Sequence, residues 1–292
     1  MRRTMLFLPA NNPNMIVNGG LLGADSLIFD LEDAVSPDEK DAARELLKNA
    51  LQTLDFGKCE LIVRINGLDT PYWEDDLEEI LPLKPAAIMP PKVCDGDYIR
   101  RLDEKMTQVE AAHGIPQGTT RILALLETAV GVENAYAIAS ASPRMVGLFL
   151  GAEDLTADLR CQRTKDGGEI LYARGRLVCA ARAAGIEVYD TPFTDVRDLE
   201  GLEKDAAFAK SLGFSGKACI SPAHVATVNR VFSPTQKEID YARDVFAAIA
   251  EAKRQGKGAI ALRGKMIDAP IVLRAKLVLE AASEIEGVDY LA

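Results

Sequence analysis

Arg121-Ile122-Leu123-Ala124-Leu125-Leu126-Glu127 is the stretch on which the fold turns. Four of its seven residues are Ile or Leu, so it has no polar face to offer solvent. A near-continuous apolar run of this length reads as a strand buried on both faces, as in a parallel sheet. The run then stops on a carboxylate, followed by Thr128, Ala129 and Gly131. A glutamate in such a place is costly unless solvated, paired or bound to a metal. The expectation is that Glu127 is a metal ligand and that the rest of the chain builds a site around it.

Working outward, seven more runs resemble it: Thr4 to Ala10, Asp25 to Glu32, Glu60 to Asn66, Ala86 to Lys92, Met145 to Leu150, Glu187 to Phe193 and Gly216 to Pro222. Helical stretches separate them. Pro13 to Leu22 is one, and a second starts at Ser36-Pro37-Asp38-Glu39, where Ser36 is placed to cap and Pro37 to open the first turn. Others are Asp75 to Leu81, Tyr98 to His113, Val132 to Ala141, Ile170 to Ala184 and Leu199 to Leu212, the last two stopped by Gly185 and Gly213. Strict alternation implies parallel strands joined by helices, and eight units suit a (β/α)8 TIM barrel. No GxGxxG follows the first strand, which weakens a doubly wound sheet. The division expected is a barrel over 1–230 and a C-terminal extension over 231–292, belonging to the same structural unit and serving as packing or a lid. In the extension, Ser233 to Glu238 reads as a helix start and the helix runs to about Gln255. Gly256-Lys257-Gly258 breaks it, Ala259 to Asp268 forms a hairpin turning at Arg263-Gly264, and a last helix covers Ala269 to Ala282.

Among 292 residues, 44 acids against 34 bases give a net charge of −10, which argues against a protein that neutralises nucleic-acid phosphates. The composition, 48% hydrophobic, fills a sizeable core. Cys59, Cys94, Cys161, Cys179 and Cys219 form no CxxC pair and read as free thiols of a reducing compartment. The apolar run after Met1 is too short for a signal peptide or a membrane span, so a cytoplasmic location is expected.

In a barrel the reactive groups lie at the carboxyl ends of the strands. Those ends supply Asp30, Glu32 and Asp33; Arg64 and Asn66; Lys92; Glu127; Glu153 and Asp154; Asp190; and Ser221. Polar residues are expected wherever a chain leaves the core. Asp30 and Asp33 serve equally well to hold nearby amides, Lys92 to pair with an acid, and Asp190 to stabilise the fold. The argument rests on the combination. Glu127 and Asp154, on adjacent strands, converge on one point, and hard oxygen donors without His or Cys suit Mg2+. Arg64 is placed to clamp a substrate carboxylate bidentately. Together they suit a 2-oxo acid and C–C bond cleavage beside a carbonyl. A Schiff base on Lys92 is the rival chemistry. Glu153 competes with Asp154, and because strand neighbours point to opposite faces only one should serve. His113 is expected in solvent and His224 on a helix surface.

The segments RRTMLFLPANNPNM (Arg2 to Met15), GADSLIFDLEDAVSPDEKDAAR (Gly23 to Arg44), IVRINGLDTP (Ile62 to Pro71), LLETAVGVENA (Leu125 to Ala135), GAEDLTADL (Gly151 to Leu159) and GKMIDAPIVLRA (Gly264 to Ala275) carry a resemblance over nearly the whole chain. In this order they resemble the HpcH/HpaI aldolase and citrate lyase family, in its citrate lyase β branch, with DLEDAV (Asp30 to Val35) the most recognisable piece. The resemblance implies a TIM barrel in trimers or hexamers, Mg2+ on Glu127 and Asp154, and Arg64 on the oxo-acid carboxylate. It gives roles in the reaction to Arg64, Glu127 and Asp268, with Asp268 reaching a neighbouring chain's site as an acid/base group; Asp33, at the end of the second strand, is expected to join them as a catalytic residue. It also implies cleavage of a citryl thioester to oxaloacetate and an acetyl thioester, beside a transferase α and an acyl-carrier γ subunit. Ser221 departs from the Asn or His usual there, which leaves a stand-alone malyl- or citramalyl-type acyl-CoA lyase or thioesterase as the alternative and a non-catalytic scaffold below it.

Overall fold

The computed structural model describes residues 1–255 and 261–291. The expected break at Gly256-Lys257-Gly258 and the start of the hairpin at Ala259 and Ile260 lie outside them. The chain forms two compact units, Arg2–Asn229 and Arg230–Ala292, the second including Met1.

Arg2–Asn229 is a (β/α)8 barrel. Its strands are β1 (Thr4–Pro9), β2 (Ser26–Asp30), β3 (Glu60–Arg64), β4 (Ala87–Met89), β5 (Arg121–Leu126), β6 (Met145–Leu150), β7 (Glu187–Asp190) and β8 (Gly216–Cys219). They pair in parallel in sequence order, and β1 closes on β8. Alternate residues fill the barrel, among them Met5, Ile28, Ile62, Met89, Leu123, Leu125, Phe149 and Tyr189. Their neighbours, such as Leu27, Phe29, Val63, Ala124, Leu126 and Leu148, face outward and are equally buried under the helices. That double burial is why the strands read as unbroken apolar runs. Between β5 and β6 the register slips once: Ile122 pairs with Met145, but Leu123 pairs with Gly147, leaving Val146 as an extra residue.

Most strands end two or three residues before the sequence pattern suggested, because the polar terminal residues have already turned into loops. Three expected helix starts also move. Ser36 makes no side-chain cap, and Pro37–Glu39 is a 3-10 turn ahead of the helix Lys40–Thr53. The helix expected from Tyr98 begins at Gly96, because the Asp95 carboxylate accepts from the Tyr98 amide at 2.8 Å. The stretch from Val132 is two short helices, Ala129–Glu133 and Ala135–Ala139, with Asn134 drawn off helical geometry while its side-chain Nδ2 donates to the Cys94 carbonyl at 2.8 Å. One helix was not foreseen, Ala152–Asp158, and the helix expected around His224 spans Pro222–Phe232.

In the second unit the helices Gln236–Arg254 and Ala269–Glu286 pack through Ile239, Ala242, Val245, Ala275, Leu279 and Ala282. The first opens on a capping box between Thr235 and Glu238, one residue beyond Pro234. Ala261–Leu262 and Lys265–Met266 form the described part of the hairpin, and Arg263 and Gly264 both take positive φ at its turn. No helix among the described residues is long and apolar enough to cross a membrane.

Candidate active site

A cavity of about 510 Å3 opens at the carboxyl ends of the strands. Phe7, Leu125 and Phe149 form its apolar floor, and Asp30, Asp33, Arg64, Glu127, Glu153 and Asp154 supply its charge. With Thr191 and Ile220 also in the lining, the barrel brings together residues from seven strand ends, those of β1, β2, β3, β5, β6, β7 and β8.

Glu127 follows β5 and is 3% exposed. One oxygen accepts from the Lys92 amide at 2.9 Å. Burial pushes its carboxyl up to about 8, the nearby Asp154 charge adds to the rise, and Arg64 opposes it. Two acids thus face one cavity with too little positive charge beside them. Gly151, after β6, lies against the Glu127 side chain: a Cβ there would sit 2.6 Å from Oε2 and 2.7 Å from Cβ of Glu127. Only glycine fits. Asp154 follows three residues later, and the argument from strand alternation does not apply to it, because Ala152–Asp158 is helical. Glu153 also lines the cavity, but it is exposed and lies 3.5 Å from Arg163.

Arg64 ends β3 and stacks over the Phe7 ring at 5.3 Å. Asp30 accepts from its Nε at 2.7 Å and its Nη2 at 2.5 Å, while Glu32 lies 3.0 Å from Nη1. Asp30 also accepts the amides of Glu32 and Ala34, so its amide-holding and charge-pairing roles coexist. Burial raises the pKa of Glu32, against the pull of Arg64 and Lys92. Lys92 pairs with Glu32 at 2.8 Å; burial works against its ammonium, but Glu32 and Asp33 outweigh that and raise its pKa. A lysine held protonated is a poor Schiff-base nucleophile. Asp33 is more than half exposed at the rim, 3.8 Å from Arg64 and 3.9 Å from Lys92.

Four candidates lie elsewhere. Asp190 is wholly buried against Arg174 and Lys217, away from the cavity lining. Asn66 is spent on Asp76, donating from its amide at 2.9 Å and its side chain at 2.7 Å. The Ser221 hydroxyl accepts the Ala223 amide at the start of the next helix, and it is Ile220 that lines the cavity. Asp268 belongs to the second unit, where its carboxylate caps the last helix by accepting from the Ile271 amide at 3.1 Å. His113 is exposed as expected. His224 is not on a surface: it is fully buried, with Nε2 3.3 Å from the Val196 carbonyl, because the helix Pro222–Phe232 turns that face inward.

Sequence reasoning missed three contributors. The Lys92 amide reaches Glu127 from a backbone with φ of 51°, a left-handed conformation that Pro90 and Pro91 do not announce. Lys40 is buried and donates to the Leu31 and Glu32 carbonyls at 2.7 Å each, fixing the loop that carries Glu32 and Asp33. Thr191 lines the cavity and accepts the Ala152 amide at 3.1 Å. The sequence pattern ran Thr191, Pro192 and Phe193 into the seventh strand, which hid the reach of the threonine to the β6 loop.

The family model for HpcH/HpaI aldolase/citrate lyase matches residues 3–222. The chain is 48% identical over 289 residues to the citrate lyase subunit beta of Leuconostoc mesenteroides subsp. cremoris, covering 99% of this chain and 96% of that one. It is 36% identical to the L-malyl-CoA/beta-methylmalyl-CoA lyase of Cereibacter sphaeroides, covering 98% and 96%. The crystal structure of CitE from Mycobacterium tuberculosis in complex with magnesium, acetoacetate and coenzyme A superposes with a TM-score of 0.78 at 32% identity, covering 97% of this chain and 98% of that one. The barrel, the carboxylates at its strand ends and these likenesses agree: the chain belongs to the HpcH/HpaI aldolase/citrate lyase family.

Proposed function

We propose that this protein is a Mg2+-dependent carbon–carbon lyase that cleaves a citryl thioester to oxaloacetate and an acetyl thioester. The observation that carries the reading is the crowding of Glu127 and Asp154 into one cavity beside a single guanidinium. The donor set fits Mg2+: both groups are hard carboxylates, and among the described residues no cluster of three or more His, Cys, Asp or Glu builds a full cage. Mg2+ usually takes one or two carboxylates and completes its shell with water and substrate. When bound, it supplies Lewis-acid polarisation of the oxo-acid carbonyl and neutralises the acid pair.

The chain's own residues do the rest. Asp30 occupies the Nε and Nη2 edge of Arg64, so a substrate carboxylate takes Nη1 and the outer N–H of Nη2, displacing Glu32. Asp33, at the rim, accepts the proton of the tertiary hydroxyl. As that O–H pair becomes the new C=O, the C–C bond breaks and its electrons pass to the thioester carbonyl, leaving a thioester enolate. Asp268 from a neighbouring copy returns a proton to the enolate carbon. The apolar floor of Phe7, Leu125 and Phe149 keeps water from the breaking bond. In this reading the chain works as a homo-oligomer of three or six copies in the cytoplasm, beside a transferase subunit and an acyl-carrier subunit that presents the thioester.

The test is Mg2+-dependent release of oxaloacetate from citryl-CoA, followed by coupling to malate dehydrogenase; no oxaloacetate from citryl-CoA sinks the reading. Among the described residues lining the cavity Arg64 is the one cation, which favours as a second reading a malyl-type thioester with one free carboxylate. Cleavage of malyl-CoA but not citryl-CoA selects it.

A further inference from the structure

Gly151 has to be glycine, because any Cβ would collide with the buried Glu127 side chain. It is also the N-cap residue of the helix Ala152–Asp158, which carries Asp154. A glycine offers no side-chain oxygen, so this helix makes no cap of its own. The Ala152 amide is nonetheless buried, since Ala152 is 1% exposed, and a buried N–H needs a partner. The partner comes from the neighbouring strand end: Thr191 Oγ1 accepts it at 3.1 Å.

Thr191 is itself immobilised. It is fully buried, and its carbonyl accepts from Lys217 Nζ at 2.7 Å, a charge-assisted bond inside the barrel. Lys217 is held in turn by Asp190 and Asp205, each at 2.6 Å. A rigid chain of contacts thus runs from β8 through Thr191 to the first residue of the helix that bears Asp154.

We infer that Thr191 is a positioning residue for Asp154, supplying from β7 the helix cap that Glu127 forbids at Gly151. The inference rests on the reading of Glu127 and Asp154 as metal ligands. Groups behind a metal ligand commonly change metal affinity by roughly ten- to a hundredfold when removed. The test uses the full chain and Mn2+ as a paramagnetic stand-in, titrated by electron paramagnetic resonance without substrate. Thr191→Val keeps the shape and removes the acceptor; it should weaken Mn2+ binding by roughly tenfold or more. Thr191→Ser should restore it. Thermal unfolding in EDTA is measured alongside, and Thr191→Ala serves if the valine variant does not fold. A lower unfolding temperature with wild-type Mn2+ affinity marks a purely structural threonine and overturns the inference. Asp154→Asn separates the two levels. Loss of Mn2+ binding there with none in Thr191→Val defeats only the positioning role; wild-type binding in Asp154→Asn defeats the metal reading and the inference with it.

Discussion

Asp190 ends β7 as Asp30 ends β2, and each grips an arginine through both oxygens, Arg174 in one case and Arg64 in the other. The local motif is the same; the surroundings are not. Behind β7, Arg174 and Lys217 face Asp190 and Asp205, two charges of each sign, all buried. At the cavity, Arg64 and Lys92 face Asp30, Glu32, Asp33, Glu127, Glu153 and Asp154, six acids against two cations, with Glu153 drawn toward Arg163. A charge-balanced buried cluster needs no ion from outside, and its part is to hold the fold and the Thr191 carbonyl in place. An acidic surplus beside open space is incomplete and calls for a cation from outside.

The comparison breaks first at Arg174. Arg174→Met leaves Asp190 and Asp205 to Lys217 alone and should cost about 3–5 kcal/mol in urea unfolding, the usual penalty for half of a buried pair. Mn2+ affinity of the folded protein should fall less than in Thr191→Val, because Arg174 does not line the cavity and is linked to Thr191 through Asp190, Asp205 and Lys217. A loss below about 1 kcal/mol would mean that balance is not what the cluster provides.

Glu127→Gln should do the reverse. Turnover of the thioester should fall by roughly 10²–10³-fold, on the scale of removing one oriented electrostatic group. Unfolding in EDTA should be unchanged or shifted upward, since a buried carboxylate facing Asp154 has gone. A destabilised but active Glu127→Gln variant would place Glu127 with the structural cluster instead.

The smallest effect is on acid stability. Burial works to raise the Asp205 pKa, but Lys217 and Arg174 outweigh it and the net shift is downward. A carboxyl whose folded pKa is depressed adds stability above its unfolded value, about 4, and loses it as pH falls through the folded value. Denaturant midpoints measured from pH 5 down to pH 2 should therefore drop in the wild type. Asp205→Asn should start lower at neutral pH and fall less steeply. Parallel curves for the two would remove Asp205 from the account.

The sequence was most legible where one residue's chemistry conflicts with its neighbours. Glu127 stands out because an acid ends an apolar strand, and Arg64 follows from the same reasoning at β3; that reasoning left Asp154 level with Glu153, and only the family resemblance chose between them. The barrel was legible because parallel strands are apolar on both faces. What escaped were partners supplied from a distance. Asp190 was readable as an acid that stabilises the fold, but not its partners, because Arg174 and Lys217, which neutralise it, lie 16 residues before and 27 after it. Ser221 drew attention by its identity, yet the cavity takes its neighbour Ile220. The roles of Lys92 and Thr191 rest on a backbone amide at positive φ and a bond between loops, neither of which any residue spacing encodes.

The extra residue in β6 has a consequence at the opposite end of the barrel. Ahead of it, pairing joins residues 23 apart (Ile122 with Met145); after it, 24 apart (Leu126 with Leu150). Continued one step, the second spacing sets Glu127 beside Gly151, whereas the first would have set it beside Leu150. Val146, near the base of the strand, therefore acts as a frameshift: it decides which residue the proposed ligand meets farther along β6, at Gly151, and it converts a collision with a leucine into a fit against bare backbone.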